Sequence, residues 1–218
     1  MFFMPTVSHI VKKIIESRST LYEALANDIV NYPNLADYLT PEIERELGSS
    51  VKNMAIVMAL RRYREKIKTL GSVKVPFKFD AEITLKTGLC DMTFVKSPSI
   101  LSKLKEIYGF VNQDKGETLN IIQGNYEVTI VVSDKYREQI LELLKGDKKI
   151  NVEKKLVSLA MSFSKDFLYT PGIIAKVTRK LFWDGINCYE NISTMTEVIF
   201  IVHERDAIKA FNSLKGLT

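Results

Sequence analysis

Residues that bind metals or form disulfides are scarce in this sequence. The chain of 218 residues has two cysteines, Cys90 and Cys188, and two histidines, His9 and His203. No CxxC pair occurs, so the sequence offers neither the spacing of a zinc site nor a disulfide framework. We therefore expect both cysteines to be small buried side chains, and we predict no metal and no cofactor.

Long apolar runs are also missing. No run approaches the roughly 20 residues that a helix needs to cross a bilayer. The N-terminal segment places its apolar residues before its charges, which is the reverse of a secretory signal. We expect a cytoplasmic protein that makes no contact with a membrane.

The sequence lacks the motifs of an enzyme. There is no GxxxxGK(S/T) loop for nucleotide phosphates, and neither histidine stands beside a Ser or Cys nucleophile with a partner acid. Asp80 and Glu82 alternate with apolar residues, which is typical of the solvent face of a strand rather than of a general acid–base pair. We predict no catalytic residues.

Positive charge exceeds negative charge only slightly. Lys and Arg number 31 against 26 for Asp and Glu, and the net charge of +5 is spread along the chain except for "RRYREK" at 61–66. Such a run at a helix end is typical of a solvated face. The alternative is a nucleic-acid contact in which Arg61, Arg62, Arg64 and Lys66 bind phosphates.

Residues 1–72 have the periodicity of helices. Apolar residues recur at helical spacing, and we expect about five short helices that form either a helix-turn-helix or a plain bundle. Thr40-Pro41-Glu42 predicts a helix start, with Thr40 as its cap, and Gly48 predicts the end of the same helix.

Beyond residue 72 the apolar period drops to two, which indicates strands. In 77–86, for example, Phe79, Ala81, Ile83 and Leu85 alternate with polar residues. Further strands are predicted at 89–95, 118–123, 126–133, 150–163, 187–193 and 195–203, and helices at 98–108, 134–145, 171–184 and 204–215.

An internal repeat sets the architecture. "YEVTIVVSD" at 126–134 matches "TEVIFIVHE" at 196–204, and "KYREQILELLKG" at 135–146 matches "RDAIKAFNSLKG" at 205–216, both with an offset of 70. Each copy has the order strand, helix, strand, strand, helix. One more strand per copy gives the ferredoxin-like βαββαβ unit.

The second copy needs a strand that the chain does not supply after residue 218, and strand 77–86 can provide it. The first repeat would then be inserted into the second. We predict an α+β protein with a helical domain at 1–72, a strand at 77–87 that completes the second repeat, a first repeat at 88–151 and the rest of the second repeat at 152–218.

The second repeat resembles an ACT domain, the module that senses small molecules in aspartokinase and related amino-acid enzymes. The matching features are Pro171-Gly172 at the turn from strand to helix, Gly-Ile-Asn before the next strand, and "ISTMTEVIFIV" at 192–202. With "LTPEIERELGSSVKNMAIVMALRRYREKI" ahead of the tandem repeats, nearly the whole chain resembles archaeal proteins described as predicted regulators of amino acid metabolism.

The amides that open the helix after Pro171 suit a carboxylate, because the first N–H groups of a helix have no partner within it. Gly172, Ile173 and Ile174 would supply them, and we expect the spacing to bring the helix start and the next strand start together. The resemblance implies that an ammonium group would meet Tyr169, Thr170, Ile186, Asn187 and Cys188, often across an interface between two ACT units. In the alternative, Pro171-Gly172 only turns the chain and Asn187 caps a strand edge.

The first repeat lacks these features, since its turn is "KSPSIL" and has no glycine. We therefore expect at most one type of site per chain and a scaffolding role for 89–150. The sequence predicts a non-catalytic regulator that senses an amino acid or similar carboxylate and forms a homodimer through its ACT repeats. The alternatives are a metabolite-responsive DNA-binding transcription regulator and a regulatory subunit that docks on a biosynthetic enzyme.

Overall fold

The computed structural model describes residues 5–70, 80–112, 115–165 and 169–218. The chain divides into two units, Met1–Lys74 and Val75–Thr218, which we call the helical unit and the sheet unit. Residues 77–79 of the predicted strand 77–86 lie outside the described residues. No helix in the described ranges is long and apolar enough to cross a membrane.

The described residues of the helical unit form four helices around one apolar core. They are α1 (Val7–Ser17), α2 (Ser19–Ala26), α3 (Tyr32–Leu47) and α4 (Asn53–Leu70). Thr6 caps α1 by accepting the His9 N–H, and Asn31 caps α3 by accepting the Asn34 N–H. One apolar face of each helix is buried, which is the packing that the helical spacing predicts.

The predicted helix start at Thr40-Pro41-Glu42 is wrong, because α3 begins nine residues earlier, with Asn31 as its cap, and continues through Pro41. Proline has no N–H, so the Asp37 carbonyl loses its helical partner, while the Thr40 hydroxyl donates to the Ala36 carbonyl at 2.8 Å. The predicted end of this helix at Gly48 is confirmed, since Gly48 has φ 72° and its N–H donates to the Glu44 carbonyl.

The sheet unit contains one antiparallel sheet of six strands and four helices in its described residues. They are β1 (Ala81–Val95), α5 (Pro98–Phe110), β2 (Leu119–Gln123), β3 (Glu127–Ser133), α6 (Arg137–Leu143), β4 (Lys149–Phe163), α7 (Ile173–Trp183), β5 (Cys188–Ser193), β6 (Glu197–His203) and α8 (Ala207–Lys215). A short 3-10 turn precedes α6 and another precedes α8.

The sheet has the strand order β2-β3-β1-β4-β6-β5, so its two longest strands lie at the centre. The second half of β1 pairs with β3, from Leu89↔Ser133 to Val95↔Glu127. Both halves of β1 also pair with β4, the first half from Ala81↔Phe163 to Lys86↔Ser158 and the second half from Leu89↔Leu156 to Phe94↔Lys149. The sequence predicted two separate strands at 77–86 and 89–95, whereas the structure joins the described part of both into β1.

Two β-bulges lie where the second half of β1 begins to pair with β3 and the second half of β4 begins to pair with β6. The register shifts on either side of the pair Leu89↔Leu156. Gly88 in β1 has φ 70° and Lys155 in β4 has φ 57°, so each central strand carries one left-handed residue beside this pair. Each of the two central strands therefore has a bulge near its middle, at equivalent positions in the two halves of the sheet.

The helices cover one face of the sheet and create two large cores. The first core contains Met92 and Phe94 of β1 under α5 and α6, and the second contains Met161 and Phe200 under α7 and α8. Alternate residues point to the other face, where Leu89, Val131, Leu156 and Ile201 form a small third core. Burial also raises the pKa of the Cys90 thiol to about 12, which agrees with its predicted role as a buried small side chain.

Candidate ligand-binding site

The turn at Pro171-Gly172 does open a helix, two residues later than the sequence predicted. Helix α7 starts at Ile173, and its N-cap residue Gly172 has the left-handed φ of 85°. Ile173 is buried, Ile174 is exposed and Tyr169 is 76% exposed. A helix start with its amides and positive dipole end at the surface is therefore present at Gly172.

The second group of predicted ligand residues lies at the opposite end of α7. The Ile186 N–H donates to the Leu181 carbonyl at 3.0 Å, which fixes Ile186 beside the helix C-terminus. Asn187 is exposed, and the Cys188 thiol donates to the Glu190 carbonyl at 3.0 Å. Cys188 is only partly buried, so the prediction of a buried side chain is wrong for this cysteine, although burial still raises the pKa of its thiol to about 11.

The expectation that the helix start and the next strand start come together is wrong within one repeat. Eleven helical residues separate Gly172 from the C-terminal end of α7, which is about 16 Å at 1.5 Å per residue. The sheet register supports this separation. Cys188 and Val157 both pair with Val202, so the start of β5 is level with Val157 in β4. Val157 lies six residues before the end of β4 at Phe163, and β4 is the strand that precedes α7. A single ligand can contact both groups only if they come from different ACT units.

The first repeat shows what occupies the equivalent helix start. Helix α5 begins at Pro98, and the Ser97 side chain caps it by accepting the Ile100 N–H. The Asp147 carboxylate, whose side chain is 4% exposed, accepts hydrogen bonds there from Ser97 at 3.3 Å and Lys103 at 2.8 Å. These hydrogen bonds, led by the one from Lys103, lower the pKa of Asp147. The α5 start is thus supplied with a carboxylate by the chain itself.

The repeat offset of 70 places Leu217 at the position equivalent to Asp147, and Leu217 is packed in the second core. Among the described residues, the position equivalent to Asp147 in the second repeat therefore carries an apolar side chain in place of a carboxylate. Asp147 was not among the predicted site residues, although the repeat, extended by one residue, pairs it with the apolar Leu217.

A polar cleft at the middle of the sheet was also missed. Two adjoining cavities of about 370 and 520 Å³ share Lys86, Glu117 and Thr118, and we call them the junction cleft. The Lys86 ammonium donates to the Gly116 carbonyl at 3.0 Å. Hydrogen bonds from Lys135 and Tyr136 lower the pKa of Glu117 to about 2. Ammonium, carboxylate and hydroxyl groups thus meet beside the first half of β1, which pairs only with β4 among the described strands.

Three carboxylates cluster elsewhere on the face of the sheet that carries the third core. Asp91 is 5% exposed and pairs across the strands with Glu153. Burial, followed by the negative charge of Glu190, raises the pKa of Asp91 to about 6. No group of His, Cys, Asp and Glu in the described ranges has the arrangement of a metal site.

In the helical unit, the basic run 61–66 lies near the end of α4. Arg61, Arg62 and Arg64 line one cavity, whereas the exposed Lys66 is not part of its lining. Arg64 is ion-paired with Asp28 at 2.8 Å and with Glu65 at 2.9 Å. The run is therefore neither a uniform solvated face nor a row of four equivalent cations.

The chain is similar in structure to the regulatory regions of aspartate kinases. The regulatory subunit of aspartate kinase from Thermus thermophilus matches with a TM-score of 0.52 and 16% identity, over 64% of this chain and 97% of that one. The regulatory subunit from Thermus flavus matches with a TM-score of 0.50 and 16% identity, over 61% of this chain and 94% of that one.

A whole aspartate kinase gives a similar match. The Clostridium acetobutylicum enzyme has a TM-score of 0.54 and 18% identity, over 67% of this chain but only 37% of the enzyme. No protein-family model matches the chain, and no curated protein matches its sequence. At these identities the likeness establishes the fold, so the predicted resemblance to the aspartokinase regulatory region, with its ferredoxin-like ACT units, is confirmed.

Proposed function

We propose that the chain is a non-catalytic regulator of amino acid metabolism whose sheet unit binds an amino acid or a similar small carboxylate. The fold of aspartate kinase regulatory subunits supports a regulatory role. The sequence also lacks a nucleotide-binding loop, which supports a chain that senses without catalysing.

The difference between the two helix starts carries the proposal. At α5 the carboxylate of Asp147 occupies the helix start, held by Ser97 and Lys103. At α7 the equivalent residue is Leu217, so a ligand carboxylate can take the place that Asp147 takes in the first repeat. Gly172, Ile173 and Ile174 would offer the amides, with Tyr169 and Thr170 beside them.

The rest of the site would come from a second copy of the chain. Because Ile186, Asn187 and Cys188 lie one helix length from Gly172, we propose that they contact a ligand bound at the α7 start of the partner copy. The open edges of β2 and β5 give a homodimer surface on which sheets can pair. The ligand would regulate by binding the associated state more tightly than the separate chains.

We also propose that the first repeat, 88–151, is inserted into the second, which comprises 77–87 and 152–218. Two observations support this arrangement. The segment Ala81–Lys86 pairs with the first strand of the second repeat. Its side chains Ala81, Ile83 and Leu85 pack against the second core.

Equilibrium dialysis of the full chain against each of the twenty radiolabelled amino acids tests the proposed function. We expect one amino acid, or a few of similar chemistry, to be retained. Asp and Asn are both tolerated at a positive φ, so Gly172→Asp and Gly172→Asn differ mainly in charge. We expect Gly172→Asp to abolish retention and Gly172→Asn to preserve most of it.

The same assay separates the two possible locations of the ligand. If Lys86→Ala abolishes retention and Gly172→Asp does not, the ligand lies in the junction cleft and the proposed α7 site is wrong. If no amino acid is retained by the unmodified chain, the amino-acid-sensing function itself is wrong.

A further inference from the structure

Three arginine side chains line a cavity beside α4, and they differ in whether they form an ion pair. Its lining consists of Asp28, Tyr32, Arg61, Arg62, Arg64 and Glu65, and its volume is about 390 Å³. We call it the arginine cleft. Both carboxylates of the lining are ion-paired with Arg64. Among the described residues, neither Arg61 nor Arg62 has a carboxylate partner, so their two positive charges are available to an anion.

The cleft is held in shape by a chain of contacts that begins at Asp28. This residue has a left-handed φ of 58°, and its carboxylate accepts the Tyr32 hydroxyl at 2.9 Å and pairs with Arg64 at 2.8 Å. The fixed Tyr32 ring then supports Arg61, whose guanidinium lies 5.4 Å from the ring centroid. Arg61 is thereby positioned before any ligand arrives, which reduces the entropy cost of binding.

Arg64 shows a polar group that the chain leaves unpaired. Its Nε atom is buried and has no hydrogen-bond partner among the described residues, although its two terminal nitrogens are paired. A buried donor without an acceptor is unfavourable, so the chain keeps the Arg64 side chain in the cleft wall at a cost in free energy.

We infer that the arginine cleft is a phosphate-binding site. A guanidinium presents a planar set of donors that matches phosphate oxygens, and two such groups with free charge face the same cavity. The phosphate can be a phosphodiester of nucleic acid or a phosphate of a small metabolite, and the two sources share this chemistry. The inference does not rest on amino-acid binding by the sheet unit, so each can fail without the other.

Two probes test the site in the full chain. Fluorescence anisotropy measures binding to a labelled 20-base-pair DNA duplex across a salt series, and calorimetry measures binding of inorganic pyrophosphate. The test variant is Arg61→Ala with Arg62→Ala, two exposed positions where the fold should be kept. The control is Arg45→Ala, which removes an exposed arginine of α3 outside the cleft.

Duplex binding that weakens at least tenfold in the double variant supports the site, with a salt slope reduced by about two because two phosphate contacts are lost. Pyrophosphate binding that disappears in the double variant, without duplex binding, also supports it and identifies a metabolite phosphate. Tyr32→Leu should weaken the same binding more than Tyr32→Phe, since only the leucine removes the ring that supports Arg61.

The inference is overturned by three results. The first is that the unmodified chain binds neither probe at low salt. The second is that the double variant binds as tightly as the unmodified chain. The third is that Arg45→Ala weakens binding as much as the double variant, which would indicate a diffuse charge effect in place of a site.

Discussion

At the scale of single residues, Gly88 allows β1 to pass from one half of the sheet to the other. Its φ of 70° is unfavourable for any residue with a Cβ, although no atom would lie within 4 Å of that Cβ. We predict that Gly88→Ala lowers the free energy of unfolding by about 1–2 kcal/mol through backbone strain alone.

Gly109 is the matched control for this prediction. It also has open space within 4 Å, but it lies in α5 and has no positive φ. Gly109→Ala should therefore raise stability by about 0.5–1 kcal/mol. Urea denaturation of both variants measures the difference, and equal effects would show that backbone strain at Gly88 is not the cause.

Asp91 makes the stability of the sheet unit depend on pH. Its pKa in the folded chain is about 6 against an ordinary 3.8, so the folded form holds the proton more tightly than the unfolded form. The group is neutral in both forms only well below pH 3.8. Stability is then lost as the pH rises toward 6, by at most about 3 kcal/mol.

We predict that Asp91→Asn stabilises the chain above pH 6 and has little effect near pH 4. Urea denaturation at both pH values measures this, with Asp80→Asn as the control at an exposed carboxylate. A gain of the same size at both pH values would mean that the charge of Asp91 is not responsible.

At the scale of secondary-structure elements, α3 contains a proline that destabilises it. Pro41 is exposed and interior to the helix, whereas Pro33 lies at its first turn, where a missing N–H has no cost. We predict that Pro41→Ala stabilises α3 by about 1–2 kcal/mol and slows hydrogen exchange of its amides by about 5- to 30-fold. Pro33→Ala is the control, and a similar slowing in both variants would refute the explanation.

The two halves of β1 should stabilise different parts of the sheet unit. Ile83 packs against the second core and Met92 is buried in the first. We predict that Ile83→Ala speeds hydrogen exchange mainly in β5, β6, α7 and α8, and that Met92→Ala does so mainly in β2, β3, α5 and α6. Mass spectrometry of peptides resolves these regions. If Ile83→Ala affects β2 and β3 as strongly as β5 and β6, the proposed insertion of the first repeat is wrong.

At the scale of the whole molecule, local patterns predicted most of the elements. Alternation and helical spacing placed the described strands and helices of the sheet unit within a few residues, because each element has one buried face. Helix α3 escaped prediction, since burial of Leu35 and Leu39 outweighs the proline signal at position 41. The joining of two predicted strands into β1 was also not predicted, because the sequence around a bulge at Gly88 resembles the sequence of a turn.

The candidate site was predictable in composition but not in arrangement. The glycine of the α7 turn is visible in the sequence, and the structure places it at the helix start with a positive φ. The predicted proximity of Gly172 and Asn187 was wrong, because α7 lies between them and separates them by its own length. Asp147 and the junction cleft depend on contacts between residues distant in the chain, which periodicity does not report.

The central claim is that the sheet unit binds an amino acid, and a thermal-shift panel of the twenty amino acids tests it most directly. A ligand at about 100 times its dissociation constant adds roughly 2.7 kcal/mol of stability, which raises the melting temperature by about 5–10 °C for a unit of this size. We predict such a rise for one or a few related amino acids, and its loss in Gly172→Asp but not in Gly172→Asn. An unchanged melting temperature with all twenty amino acids would contradict the claim.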